Sequence, residues 1–141
     1  MLKVKLYFIV LILFISGCAV KYVADYDEKV FQEIILTTKK VDMFFATILE
    51  TPVNKRGYDE FKDKYLSIEA DLNSLLTRNQ IRDLNEESIK QVKIVIELWL
   101  GDKAKHMKKN TFKNFIAKKH REQYRRILVA MAKAELAKKM K

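Results

Sequence analysis

Apolar residues recur along this chain at spacings of three and four, the period of a helix with one buried face. Val30, Ile34, Val41, Phe45 and Ile48 keep that register, and Phe31, Ile35, Phe44 and Leu49 widen the stripe. The spacing predicts a helix over about 25–50. Asp25, Asp27 and Glu28 supply negative charge to its first turn, where the helix dipole favours it. Pro52 closes it by driving Thr51 out of the helical region. A second stripe, Tyr58, Phe61, Tyr65, Ile68, Leu72 and Leu75, predicts a helix over 58–78. A third starts at Asn85, a good N-cap residue, with Ile89, Val92, Ile96 and Trp99 facing one way and Val95, Leu98 and Leu100 beside them. Gly101 is its weak point, since glycine in a helix interior costs ~1 kcal/mol relative to alanine. The third helix is therefore expected to kink or end there, with 103–110 as a frayed turn and loop. A fourth helix is expected over 111–138 with Asn110 as its cap and Phe112, Phe115, Ile116, Tyr124, Ile127, Leu128 and Met131 as its apolar face.

Nothing alternates with period two for long enough to suggest a sheet. The expected fold class is all-α, an antiparallel four-helix bundle. The alternative is three main helices with an irregular 101–118 segment. Trp99, Phe61, Ile68, Leu72, Ile96 and Ile127 are expected in the core.

The first eighteen residues follow a different rule. Lys3 and Lys5 precede an unbroken apolar run over 6–15, and Ser16, Gly17 and Cys18 follow at once. Ten apolar residues suit a signal-peptide core and fall well short of the ~20 that span a bilayer as a helix. Ile15-Ser16-Gly17-Cys18 resembles the lipobox of bacterial lipoproteins. That resemblance implies cleavage before Cys18, lipidation of its thiol and acylation of the new amino terminus. The expected organisation is a signal peptide at 1–17, an acylated Cys18 with a short tether at 18–25, and a helical bundle at 26–141. Two or more acyl chains, at ~0.8 kcal/mol per buried methylene, make such attachment effectively permanent. Ala19 follows Cys18 where enterobacterial lipoproteins retained at the inner membrane carry Asp. By that resemblance the bundle is expected at the outer membrane, facing the periplasm.

Composition adds two constraints. Cys18 is the one cysteine, so no intramolecular disulfide forms and the core alone must hold the fold. Charge is uneven: residues 101–141 carry fourteen Lys and Arg against three acidic side chains, whereas residues 18–100 carry twelve against fifteen. A polybasic segment points to nucleic acid, anionic lipid or an acidic protein, and export leaves the last two. Lys118, Lys119, Arg121, Arg125 and Arg126 crowd nine residues with Glu122 as the sole opposing charge. They are the candidate contact with an anionic surface, with a solvated helix face as the alternative.

Candidate chemistry is sparse. His106 and His120 are the two histidines, each among lysines, and neither has Glu three residues before it, as bundle metal sites require. No HExxH, Cys/His cluster or GxSxG is present. No catalytic residue, metal or cofactor is expected, and His120, one turn before Tyr124, reads as a polar group at the core edge. Tyr26-Asp27-Glu28 soon after Cys18, and 134–139 near the end, resemble a group of small helical lipoproteins of proteobacteria that bring no activity with them. The chain differs from that group in a more lysine-rich last third. The leading expectation is a non-enzymatic lipid-anchored bundle acting through surface contacts. The alternatives are a carrier with a lipophilic ligand in the bundle interior, and an envelope lipoprotein that excludes phage or conjugation.

Overall fold

The computed structural model describes residues 23–140. The expected signal peptide, Cys18 and most of the tether therefore lie outside the described residues. The rest is an all-α bundle of four helices: α1 Glu28–Glu50, α2 Lys62–Gln80, α3 Glu86–Lys109 and α4 Asn114–Ala137. Short 3-10 turns at Val53–Lys55 and Tyr58–Glu60 lie between α1 and α2, and another at Lys138–Met140 follows α4. Among the described residues no helix is long and apolar enough to cross a membrane.

Asp27 caps α1, its Oδ1 accepting from the Lys29 and Val30 amides at 2.8 and 3.1 Å. Both amides would otherwise lack helical partners. Thr51 ends the helix in an extended conformation before Pro52, as proline demands. α1 packs most extensively on α4, and α2 on α3, while α3 and α4 touch least among the neighbouring helices.

Five rings fill the centre: Phe44 and Phe45 from α1, Tyr65 from α2, Trp99 from α3 and Tyr124 from α4, all at most 2% exposed. Phe44 meets Tyr65 and Trp99 edge-on at 4.6 and 5.0 Å between centroids, and Phe45 stacks on Tyr124 at 5.7 Å. These are the favourable geometries for ring quadrupoles. The Trp99 indole N–H donates to the Tyr65 carbonyl oxygen at 3.2 Å, so its one polar atom is satisfied.

Three expectations are corrected. α3 runs straight through Gly101 for two further turns, because Asp102 and His106 continue the buried stripe of Val92, Val95 and Trp99. Tertiary burial there outweighs the propensity cost of one glycine. Asn110, expected to cap α4, instead ends α3 in the left-handed conformation (φ 48°), one that asparagine tolerates better than most residues. α4 therefore begins at Asn114, and Phe115 is 73% exposed rather than part of the apolar face. Phe61, Ile68, Leu72 and Trp99 are buried as expected. Ile96 and Ile127 are only partly buried, flanking the stripes formed by Val92, Val95 and Trp99 and by Tyr124, Leu128 and Met131.

The N-terminal end of the bundle is held by a polar network around Glu135, which is 2% exposed. Glu135 Oε1 accepts from the Asp27 amide at 2.9 Å and from Arg82 at 3.3 Å, and Oε2 from Lys138 at 2.5 Å. Lys138 also reaches Asn85 Oδ1 at 2.9 Å. Asn85 occupies the N-cap position of α3, but its side chain turns inward to Asn79 rather than to the helix amides. Ala24 is buried, with its amide donating to the Leu84 carbonyl oxygen at 2.9 Å. The chain thus enters the bundle beside the α2–α3 turn and the end of α4.

Candidate functional site

Ten Lys and Arg fall within residues 103–126, with Glu122 as the only acid. Because α3 continues to Lys109, these residues occupy the last turns of α3, the α3–α4 connection and the first half of α4. Most lie toward the far end of the bundle, away from the network around Glu135, while Arg125 and Arg126 sit at the middle of α4. Eight of the ten are exposed: Lys105, Lys108, Lys109, Lys113, Lys118, Lys119, Arg125 and Arg126.

Two are committed elsewhere. Lys103 pairs with Glu69 on α2 at 2.7 Å. Arg121 makes a two-pronged pair with Asp42 on α1, Nε and Nη2 each 2.7 Å from a carboxylate oxygen. That hydrogen bonding holds the Asp42 carboxyl below the usual carboxylate range. Of the five basic residues expected from sequence, Arg121 is therefore mainly an interhelix tie, while Lys118, Lys119, Arg125 and Arg126 face solvent. Between α1 and α4 lies a groove of about 490 Å³ with Ile35 and Val41 at its floor and Lys39, Arg121 and Arg125 on its walls.

Sequence reasoning missed the contribution of Lys105, Lys108, Lys109 and Lys113 by assigning 103–110 to a loop. The signal that could have placed them was periodicity: Val95, Trp99, Asp102 and His106 continue one stripe if the polar residues are counted as buried.

Those buried polar groups form two linked clusters at the far end. Arg56, 3% exposed, donates to the carbonyl oxygens of Leu49, Thr51 and Phe112 at 3.1, 2.6 and 3.0 Å and to Asn114 Oδ1 at 2.6 Å. Its charge rests on the carbonyl-bearing, negative end of α1 rather than on a carboxylate. His106, 1% exposed, places Nε2 2.8 Å from the Arg56 carbonyl oxygen, which can only accept, so Nε2 carries the proton. Nδ1 then accepts from the Tyr65 hydroxyl at 3.2 Å. Burial lowers the affinity of His106 for a second proton, and the bond to Arg56 only partly opposes that.

In the second cluster, Asp102 Oδ2 accepts from the Tyr124 hydroxyl at 3.1 Å and lies 2.6 Å from His120 Nδ1. The histidine contact is close but is not an aligned hydrogen bond, since the ring nitrogen has no hydrogen-bond partner. Burial first, then the Asp102 charge, push the Tyr124 hydroxyl well above its ordinary range. The His120 ring is mostly buried, edge-on to Phe45 and Phe112, at the core edge where the sequence placed it. Among the described residues no three His, Cys, Asp or Glu side chains converge as metal ligands would.

Cys18, the expected lipidation site, lies outside the described residues. Comparison with protein-family models, with curated proteins and with solved structures gives no match to this chain.

Proposed function

We propose that this chain is a non-enzymatic lipoprotein of the bacterial cell envelope, held to the membrane by acylated Cys18 and acting through an anionic partner at its basic far end. One observation carries this reading: eight exposed Lys and Arg gather on α3, α4 and their connection, with Asp102 and Glu122 as the acids beside them. Like charges three or four apart on a helix destabilise it by a few tenths of a kcal/mol per pair, so the arrangement is unfavourable until an anion meets it. The filled aromatic centre also supports contact over carriage, because the five large rings occupy the space an interior ligand would need.

The chain enters the bundle at the opposite end, beside Leu84 and Glu135. α4 alone is about 36 Å long at 1.5 Å per residue. A bundle standing on a tether this short holds the basic end away from its own lipid headgroups, beyond the screening distance of about 8 Å. An acidic envelope protein is therefore favoured over the anchoring membrane as partner. Ala19 directs the anchor to the outer membrane, with the bundle in the periplasm.

Two measurements test the reading. Wild type is expected to incorporate labelled palmitate, and Cys18→Ser to remain an unlabelled precursor. Crosslinked envelopes are expected to yield an acidic protein with wild type and to lose it with Lys118→Glu, Arg125→Glu and Arg126→Glu combined. A mutant that matures and carries label would refute the anchor. The same capture by the charge-reversed protein would refute the contact.

A further inference from the structure

The loosest pair of neighbouring helices, α3 with α4, leaves an open cleft of about 440 Å³ at the far end. Phe112 and Ile116 form its apolar floor, Lys105, Lys109 and Lys113 stand around it, and His120 lines its inner wall. We infer that this cleft is a binding site for a small molecule carrying a carboxylate or phosphate on an apolar body. This goes beyond the contact proposed for Lys118, Arg125 and Arg126, which lie outside the cleft, and it stands whether or not that contact forms.

Three features support the assignment. Lys105 and Lys109 are one turn apart on α3, and Lys113 follows in the connection, so three ammonium groups border one opening. Asp102 also lines the cleft, and its Oδ1 pairs with Lys105 at 3.9 Å, which leaves Lys109 and Lys113 as the unbalanced ammonium groups. No carboxylate among the described residues closes on Lys109 or Lys113. The cleft thus has positive charge to spare, which a bound anion would balance.

The second feature is His120. Its Nδ1 is buried close to Asp102 without an aligned hydrogen bond, and Nε2, which makes no hydrogen bond among the described residues, is the nitrogen left for a ligand.

Third, the floor is apolar and rigid. Phe112 is 5% exposed and packs edge-on against both His106 and His120 at 5.1 and 5.9 Å, so the wall beneath a ligand is preformed. The volume falls in the range of small-molecule clefts, which combine apolar walls with a few placed polar groups.

The test uses the full chain in uncharged detergent micelles, with the histidine ring resonances followed by NMR. Phenyl phosphate and benzoate are the anionic probes, benzamide is the uncharged control, and inorganic phosphate supplies charge without an apolar body. Saturable shifts of His120 with phenyl phosphate or benzoate are expected, and the tighter of the two identifies the anionic group. Lys105→Ala with Lys109→Ala, both exposed positions, should weaken that binding at least fivefold, while Lys133→Ala on the far half of α4 should not change it. No saturable shift, equal binding of benzamide, equal binding of inorganic phosphate, or unchanged affinity in the double variant would each overturn the assignment. Arg125→Glu with Arg126→Glu should leave phenyl phosphate binding within twofold, so loss of the partner and loss of this site are read separately.

Discussion

Gly101 lies inside α3 with open space around it: a Cβ built there meets no heavy atom within 4 Å outside the local helix backbone. Its helical backbone needs no glycine, so the residue contributes only unfolded-state freedom. Gly101→Ala is expected to stabilise the fold by about 0.5–1 kcal/mol, seen as a higher midpoint in a denaturant or thermal melt. A lower midpoint would mean that α3 does break at that position. Gly57 is the opposite case, because a Cβ there would stand 3.2 Å from Asn110 Oδ1, the atom that accepts from the Tyr58 amide. His106 carries a pH dependence. Burial depresses its affinity for the proton below the ordinary value near 6.5 that it regains on unfolding. Above about 6.5 its contribution to stability is complete, and it falls with pH below that because the unfolded chain takes up a proton the folded one refuses. Melts between pH 5 and 7.5 are expected to show a steeper acid loss for wild type than for His106→Gln. Equal slopes would remove His106 as a source of acid sensitivity.

At the scale of elements, most of the architecture was legible as period. α1 and α2 were readable because their buried residues are apolar at nearly every turn, as with Val30, Ile34, Val41 and Phe45. The end of α3 was not, because its inward positions are Asp102 and His106, which a hydrophobicity pattern counts as solvent-facing. The Asn110 side chain was readable as a cap, but sequence does not say of which helix; its left-handed backbone decides for α3. Of the candidate surface, Lys118, Lys119, Arg125 and Arg126 were legible as a charge run, while the pairing of Arg121 with Asp42 needed the helices to be placed side by side. Arg56 was invisible, since nothing local separates a buried arginine from a loop arginine. It joins the end of α1 to the start of α4 through four oxygen acceptors. Arg56→Ala leaves several of those acceptors buried without a donor, at ~1–3 kcal/mol for each unsatisfied group. A loss on the order of 3 kcal/mol is expected, with little rescue by Arg56→Lys because an ammonium cannot reproduce the planar fork. Full rescue by lysine in a chemical-denaturation series would show that charge near the α1 terminus, not the fork, is what matters. By contrast, Arg121→Ala should cost less than about 1 kcal/mol, because the pair with Asp42 is more than a third exposed.

At the scale of the whole molecule, charge and topology point the same way. Antiparallel helices bring the entering chain, the α2–α3 turn and the end of α4 to one pole, where Asp25, Asp27, Glu28, Asp83, Glu86 and Glu87 are matched by Lys29, Arg78, Arg82, Lys90, Lys138 and Lys139. The opposite pole carries Lys105, Lys108, Lys109, Lys113, Lys118 and Lys119. The excess of positive charge is thus concentrated away from the pole where the chain enters, and a tether at the entry point would leave that excess facing outward. The cysteine makes this directly measurable, since Cys18 is the one thiol and can be coupled to a maleimide lipid in the unacylated chain. Protein displayed in this way on uncharged vesicles should bridge them to separate anionic vesicles, raising turbidity at low salt and losing it as the screening length shortens. If the basic pole instead folded back, adding anionic lipid to the anchoring vesicles would occupy it and abolish bridging to the second population. Reversal of Lys118, Lys119, Arg125 and Arg126 to Glu should end bridging without unfolding the bundle, because all four side chains are exposed. Bridging that persists in that variant, or that vanishes when the anchoring vesicles themselves become anionic, would place the working surface elsewhere than the outward pole.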